Sequence, residues 1–243
     1  MKVREQREDT RHRIVRTAAE LLSAQGVAAV TTRAVAQAAG LQPPALYRLF
    51  ADKDALLDAA VEYVFAEHVA AKEAAADEDD PVADLYAGWR TQVGFGLANP
   101  AAFALASDPA RARSTPALAR GVGLLAARVH RIAAAGRLRV SEQRAVDLMR
   151  AAGTGVVHTL LALPPEQRDL GLADAMYDAV TRVILTEEPA LPTGDVAAAV
   201  AAFRALVPEL PRLTPVEGAL LDEWLRRALP ADGDGDGDAD EAP

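Results

Sequence analysis

Residues 31–50, TTRAVAQAAGLQPPALYRLF, strongly constrain the local fold. A threonine that can cap a helix precedes RAVAQAA, and Gly40 then permits the left-handed backbone that ends a helix. Pro43 and Pro44 fix the backbone at the start of a second short helix, where their missing N–H groups cost little. We therefore predict two short helices joined by a tight turn, the organisation of a helix-turn-helix.

The apolar residues of this stretch are spaced so that each short helix buries one side. The predicted inward-facing residues are Val35, Ala36, Ala39, Leu41, Leu46 and Leu49. Tyr47 and Arg48 fall on the opposite side, where a nucleic acid can reach them. The alternative is an ordinary helical hairpin without a DNA-binding role, which is common in all-α proteins.

The charge distribution favours a nucleic-acid partner, although the whole chain of 243 residues carries a net charge of −9. Residues 1–53 hold nine Lys and Arg against five Asp and Glu, a net +4, which leaves −13 for the remainder. A basic head can bind phosphate while an acidic body keeps the molecule soluble. This asymmetry favours DNA binding over the ordinary hairpin.

The rest of the chain has the pattern of an all-α protein. Alanine is abundant, and apolar residues recur at helical spacing with few alternating runs. Residues 107–114, SDPARARS, are predicted to be a loop, and the acidic tail is predicted to be disordered. Helices are predicted at about 9–25, 52–75, 81–97, from 100, 115–136, 141–163, 167–187, 195–207 and from 215 onward.

Several classes of site are disfavoured by composition. The chain has no cysteine, so disulfides, thiolate chemistry and cysteine-bound zinc are excluded. The four histidines lie far apart, at 12, 68, 130 and 158, and we expect no metal and no cofactor. The N-terminus lacks the apolar stretch of a signal peptide, and no run of about 18 apolar residues occurs, so we expect a cytoplasmic protein without a membrane partner.

The segment TTRAVAQAAGLQPPALYRLFADKDALLDAA resembles the DNA-binding region of TetR-family transcriptional repressors, over about residues 10–65. The resemblance implies a homodimer with an N-terminal three-helix DNA-binding domain at 1–53. A larger helical domain at 54–229 would bind a small-molecule effector and dimerise, and the tail would occupy 230–243. Effector binding would change the separation of the two heads and release double-stranded operator DNA.

The resemblance also implies roles for individual residues at the DNA surface. Thr32, Tyr47 and Lys53 match phosphate contacts, and Arg33 matches a position that reaches either a base edge or a phosphate. Pro43 stands where some members have a polar residue, so base contacts there would be largely apolar. The full implied set is Thr32, Arg33, Gln42, Pro43, Pro44, Ala45, Tyr47, Arg48 and Lys53.

In the larger domain, we expect an apolar effector pocket with few polar anchors. Its candidate lining residues are Tyr63, Trp89, Phe95, Phe103, His130 and Met149, each of which could instead be plain core or surface. The small residues of RAAGTGVVHTLLAL and the apolar stripe of DLGLADAMYDAVTRVIL predict a four-helix dimer interface, with intramolecular packing as the alternative. Residues 190–229, including Leu221 and Trp224, extend past the minimal family body and suggest no function.

These observations lead to one preferred function and two alternatives. The preferred function is a homodimeric repressor released from its operator by a small apolar effector. The first alternative is a DNA-binding regulator without a small ligand, either protein-responsive or an activator. The second is an all-α enzyme, which is disfavoured because the sequence offers no nucleophile–base pair, metal cluster or phosphate loop. We therefore do not expect an enzyme.

Overall fold

The computed structural model describes residues 2–74, 80–189, 199–200, 203–204 and 206–228. These residues form helices and no β-strand, so the predicted all-α fold is confirmed for the part of the chain that is described. The α-helices are α1 (Lys2–Gln25), α2 (Thr32–Ala38), α3 (Pro43–Tyr47), α4 (Lys53–Ala74), α5 (Pro81–Ala98), α6 (Pro100–Ala106), α7 (Pro109–Ser114), α8 (Pro116–Ala134), α9 (Glu142–Leu161), α10 (Gly171–Ile184) and α11 (Pro215–Ala228).

The described residues divide into two compact units. The first takes those within 1–132 and 139–185, and the second takes those within 133–138 and after 185. No unit boundary falls near residue 53, because α1 packs against both α4 and α6. The predicted boundary between a DNA-binding and an effector domain therefore stays a prediction.

The N-terminal helices share a single apolar core. Helix α1 packs along α4, and α2 packs against both α1 and α3. Ile14, Leu22, Val35, Leu46 and Leu56 are completely buried in this core. Burying side chains of this size stabilises the fold by about 1.5–3 kcal/mol each, which holds the short α3 in place despite its five residues.

Capping interactions set the ends of the two short helices. The Thr31 hydroxyl accepts a hydrogen bond from the Ala34 N–H at 3.1 Å, so Thr31 is the N-cap of α2. Gly40 has φ of 67° after the end of α2, and the following Leu41 N–H donates to the Ala36 carbonyl at 2.8 Å. This is a Schellman closure, which a glycine in the left-handed region makes possible. The predicted turn is confirmed.

Helix α9 lies against α5 and α10, and these three helices form the centre of the remaining fold. Gly96 permits a close approach, because a Cβ at this position would lie 2.7 Å from Cγ1 of Val157. Trp89 is held in place by its indole N–H, which donates to the Ala173 carbonyl of α10 at 3.1 Å. No helix in the described ranges is long and apolar enough to cross a membrane.

Two local predictions are wrong. Residues 109–114 form α7 rather than a loop, because Asp108 accepts hydrogen bonds from the Ala110 and Arg111 N–H groups and Pro109 fits the first turn. Helix α1 begins at Lys2 instead of near residue 9. Its exposed first turns lack apolar periodicity and include an Arg4–Glu8 ion pair, which supports a helix without marking one in an apolar pattern.

In the second unit, α11 begins with the predicted capping box. The Thr214 N–H donates to Glu217 at 2.8 Å, and the Glu217 N–H donates to the Thr214 hydroxyl at 3.3 Å. Leu221 is half-buried, whereas Trp224 is 58% exposed. Most of the helix predicted at 195–207 and the whole predicted tail at 230–243 lie outside the described residues.

Candidate DNA-binding surface and ligand cavity

The exposed side of α2 and α3 brings together residues that the sequence separates by fifteen positions. The hydroxyl of Thr32, the first residue of α2, lies 3.1 Å from the hydroxyl of Tyr47 at the end of α3. Tyr47 is 58% exposed, although the adjacent Leu46 is completely buried. Two hydroxyls at a helix N-terminus, beside its free N–H groups, are well suited to hold an anion such as a phosphate.

The first turn of α3 forms an apolar tip. Gln42 is the N-cap and makes no side-chain capping bond, and Pro43 and Pro44 occupy the first two helical positions. These three residues are exposed, and Ala45 is half-buried. Arg48 is exposed at the other end, where its Nε donates to the Pro44 carbonyl at 3.3 Å. This contact orients the guanidinium alongside the tip.

Two further cations extend this surface along the chain. Arg33 is exposed in the first turn of α2, and Lys53 is exposed as the first residue of α4. Asp52 caps α4 by accepting the Ala55 N–H at 2.8 Å, which fixes the start of the helix directly before Lys53. The nine residues predicted to contact DNA therefore lie along α2, α3 and the start of α4, and seven of them are exposed.

A cavity of about 560 Å³ lies in the first unit, bounded by helices α4 to α9. Its apolar wall includes Phe65, Leu85, Trp89, Phe103 and Met149. Three of these side chains, those of Trp89, Phe103 and Met149, belong to the six predicted lining residues. A volume of this size is typical of small-molecule sites.

The other three predicted lining residues lie elsewhere. Tyr63 donates a hydrogen bond to Glu67 at 2.7 Å, and Phe95 packs its ring against His68 with centroids 3.9 Å apart. His130 is exposed and its Nδ1 lies 3.1 Å from a carboxylate oxygen of Glu142. None of the three is among the residues that line the cavity.

One end of the cavity is polar, and sequence reasoning missed it. The Lys72 ammonium donates to the Gln92 side-chain oxygen at 3.2 Å, and the His68 Nε2 lies 3.2 Å from the same atom. Burial lowers the pKa of His68 to about 4, so the ring is neutral at pH 7. Burial also lowers the pKa of Lys72 to about 8, and Lys72 is only 9% exposed.

A buried ion cluster lies next to this polar end. Asp84 accepts hydrogen bonds from Arg128 Nε and from Arg131 Nη1, both at 3.0 Å. The side chains of Asp84 and Arg128 are 3% and 9% exposed, so the carboxylate is fully enclosed by its arginine partners. Arg128 also lowers the pKa of Lys72 by repulsion, with a stronger effect than the opposing attraction of Asp84.

Comparison with known proteins supports this interpretation of the N-terminal surface. Residues 14–60 match the family model described as bacterial regulatory proteins, tetR family. The chain is 44% identical over 66 residues to the class A tetracycline repressor from transposon 1721 of Escherichia coli. The chain carries the N-terminal domain of the TetR family at residues 14–60. The match covers 27% of this chain and 31% of that repressor's length, so the chain matches less than a third of the repressor.

Solved structures resemble the chain over a longer range. A transcriptional regulator of the TetR/AcrR family from Thermobifida fusca is 25% identical, with a TM-score of 0.56, and covers 72% of this chain and 96% of its own. RolR, solved in complex with its ligand resorcinol, is 18% identical with a TM-score of 0.61 and covers 93% and 97%. At that identity, RolR shows similarity of fold alone.

Polar contacts connect the cavity wall to the start of α4. Arg111 of α7 forms ion pairs with Asp54 and Asp58, which lie in the first two turns of α4. The Ala117 N–H at the start of α8 donates to Glu62 of α4 at 2.8 Å. Helices α7 and α8 both contribute residues to the cavity, so polar contacts link its wall to the helix that begins at Lys53.

A serine and a histidine meet beside the cavity. Ser107 Oγ lies 2.9 Å from His158 Nε2, and its hydroxyl lies 2.8 Å from the Phe103 carbonyl oxygen. This pair links the end of α6 to α9.

Helices α9 and α10 expose small and apolar side chains. Gly155 and Ala151 of α9 are exposed, as are Ala179 and Val183 of α10, and Val183 is 54% exposed. The two helices pack against each other. The predicted stripe of small and apolar residues on these helices is therefore partly at the surface.

Proposed function

We propose that the protein is a homodimeric transcriptional repressor that binds operator DNA and is released by a small effector in the cavity. The observation that carries this proposal is the exposed Thr32–Tyr47 hydroxyl pair at the N-terminus of α2. An exposed tyrosine side chain contributes little to the stability of the folded chain in water. A DNA phosphate gives that hydroxyl pair a partner.

The proposed roles at the DNA surface follow from position and exposure. Thr32, Tyr47 and Lys53 bind phosphates and set the register of α3 in the major groove. Arg33 and Arg48 contact phosphates or base edges. The remaining four proposed contacts lie at the tip of α3, and they are Gln42, Pro43, Pro44 and Ala45. Because three of them are apolar, the tip favours thymine methyl groups over hydrogen bonds.

The proposed dimer pairs α9 and α10 of one copy with the same helices of another. The exposed Gly155 and Ala151 allow close helix approach, and Val183 adds apolar area. A two-fold dimer presents two DNA-binding heads, so its operator is expected to be a palindrome with half-sites about one helical turn apart, or a multiple of that distance.

Release by the effector requires the occupied cavity to disfavour the DNA-binding arrangement. The Arg111 ion pairs with Asp54 and Asp58, and the Ala117–Glu62 hydrogen bond, transmit a shift of the cavity wall to α4. Such coupling is typically about 1–3 kcal/mol, which weakens operator binding about 5- to 150-fold. The ligand complex of RolR, a protein of similar fold, supports a ligand-binding role for this domain.

A selection experiment tests the DNA-binding proposal and identifies the operator sequence at the same time. Duplexes bound by the full chain are selected from a random pool and sequenced, with Arg48→Ala as a parallel protein. We expect the wild type to enrich a palindrome and the variant to enrich it poorly. Equal enrichment of the same palindrome by both proteins would contradict the proposed role of Arg48 and α3. If the wild type enriched no sequence, the whole proposal would be contradicted.

A regulator without a small ligand is the remaining alternative. An apolar cavity of about 560 Å³ that also encloses a lysine argues against it, because a domain used only for protein contacts has no need to keep such a volume open. We therefore retain the ligand-responsive repressor as the conclusion.

A further inference from the structure

The polar end of the cavity has more hydrogen-bond donors than acceptors. Lys72 and His68 both donate to the single side-chain oxygen of Gln92. An ammonium carries three N–H donors, so two on Lys72 are unused, and the Gln92 amide has two donors of its own. These groups have no acceptor among the described residues, although Lys72 is only 9% exposed.

The charge balance around this end is also positive. Asp84 is the carboxylate that acts on Lys72, and it is already bonded to Arg128 and Arg131. No described acidic residue lines the cavity, and Lys72 forms no salt bridge with any carboxylate in the described ranges. A buried cation without a counterion is costly, and an anionic ligand removes that cost.

The cavity also has an apolar wall. Phe65, Trp89, Phe103 and Met149 line it, and they can enclose an aromatic or aliphatic body. We propose that the effector is a small amphipathic anion whose acidic head binds Lys72 and Gln92 and whose apolar body packs on this wall. The inference rests on the proposed ligand-responsive function and specifies the chemical class of its ligand, for which the sequence alone predicts an apolar molecule.

Two fluorescent dyes with the same carbon skeleton test this inference. 8-Anilinonaphthalene-1-sulfonate carries one sulfonate, and N-phenyl-1-naphthylamine is the same molecule without it. The titrations use the full chain carrying Trp224→Phe, so that Trp89 is the only tryptophan. Energy transfer from Trp89 then reports dye that is bound in the neighbourhood of Trp89, and the dependence of binding on Lys72 assigns that dye to the cavity.

Lys72→Met is the variant that tests the inference. Arg144→Met is its control, since this substitution removes one positive charge from an exposed position on α9 that does not line the cavity. We expect the parent protein to bind the sulfonate more tightly than the neutral amine. Lys72→Met should lose at least about tenfold in sulfonate affinity, as expected for one charge-assisted hydrogen bond, and keep its affinity for the amine. Arg144→Met should keep both affinities.

The outcomes separate this inference from the proposed function. Tighter binding of the neutral amine, or equal losses for both dyes in Lys72→Met, would overturn the anion preference while leaving a ligand-binding cavity. Absence of transfer from Trp89 with either dye would overturn both the inference and the ligand-responsive function. Lys72-dependent sulfonate binding supports the inference, whether or not this dye releases the selected operator. Release is measured separately and tests the repressor mechanism.

Discussion

Replacement of Lys72 by methionine is expected to stabilise the protein, because the lysine charge is buried without a carboxylate partner in the described ranges. Burial lowers the pKa of Lys72 from its ordinary 10.5 to about 8. Since each pKa unit corresponds to about 1.4 kcal/mol, the protonated side chain destabilises the folded state by about 3 kcal/mol below pH 8. Loss of the hydrogen bond to Gln92 offsets about 1 kcal/mol of the gain.

The net effect is a gain of about 2 kcal/mol in the free energy of unfolding, or a rise of about 4–8 °C in Tm at pH 7. Thermal denaturation followed by circular dichroism measures it, with the exposed Lys53→Met as control. That control should change stability by less than about 0.5 kcal/mol. A Lys72→Met protein that melts at or below the wild-type temperature would refute the claim that the buried charge is uncompensated.

The pH dependence provides a second measurement on the same pair. Between pH 8 and 10.5 the unfolded lysine keeps its proton while the folded one releases it, so wild-type stability rises with pH. Tyr177 acts in the opposite direction above pH 10, because burial raises its pKa to about 12. The groups around Lys72 are common to both proteins. The free energy of unfolding of the wild type should therefore rise relative to that of Lys72→Met from pH 8 to 9.5. Parallel pH profiles would contradict the reasoning.

Three other predictions concern packing, DNA binding and coupling. Gly96→Ala should lower the free energy of unfolding by about 1–3 kcal/mol in urea denaturation, because its Cβ would lie 2.7 Å from Val157 Cγ1. Adding Val157→Ala should restore part of the loss, and wild-type stability in the single variant would refute the close approach. Lys53→Ala should lower the slope of log affinity against log salt by about one, and an unchanged slope would exclude a phosphate contact. Arg111→Ala should leave dye affinity intact but reduce the effect of an effector on operator affinity, and full coupling in this variant would show that the Asp54 and Asp58 ion pairs do not transmit the signal.

Local chemistry in the sequence predicts the helix-turn-helix because each boundary there depends on one residue. Thr31 caps α2 and Gly40 closes it, and both interactions form within a few residues of chain. The same logic predicts the capping box that begins α11. It also applies to Asp108 and Pro109, which cap and begin α7 although the segment lacks apolar periodicity.

The polar end of the cavity could not be predicted in the same way, because it depends on the packing of separate helices. Lys72 and Gln92 lie on α4 and α5, and a single lysine in an amphipathic helix is ordinarily interpreted as exposed. For the same reason, the aromatic residues of the larger domain predict the cavity lining only in part. Trp89 and Phe103 line the cavity, whereas Tyr63 turns to Glu67, and composition alone does not distinguish these orientations.

The central claim is that the surface formed by α2, α3 and the start of α4 binds DNA sequence-specifically. Its most direct test is the ratio of affinities for the selected palindrome and for a scrambled duplex of equal length. Both are measured by fluorescence anisotropy at one salt concentration. We predict that the full chain binds the palindrome at least about 10³-fold more tightly. Equal affinities for the two duplexes would contradict the account.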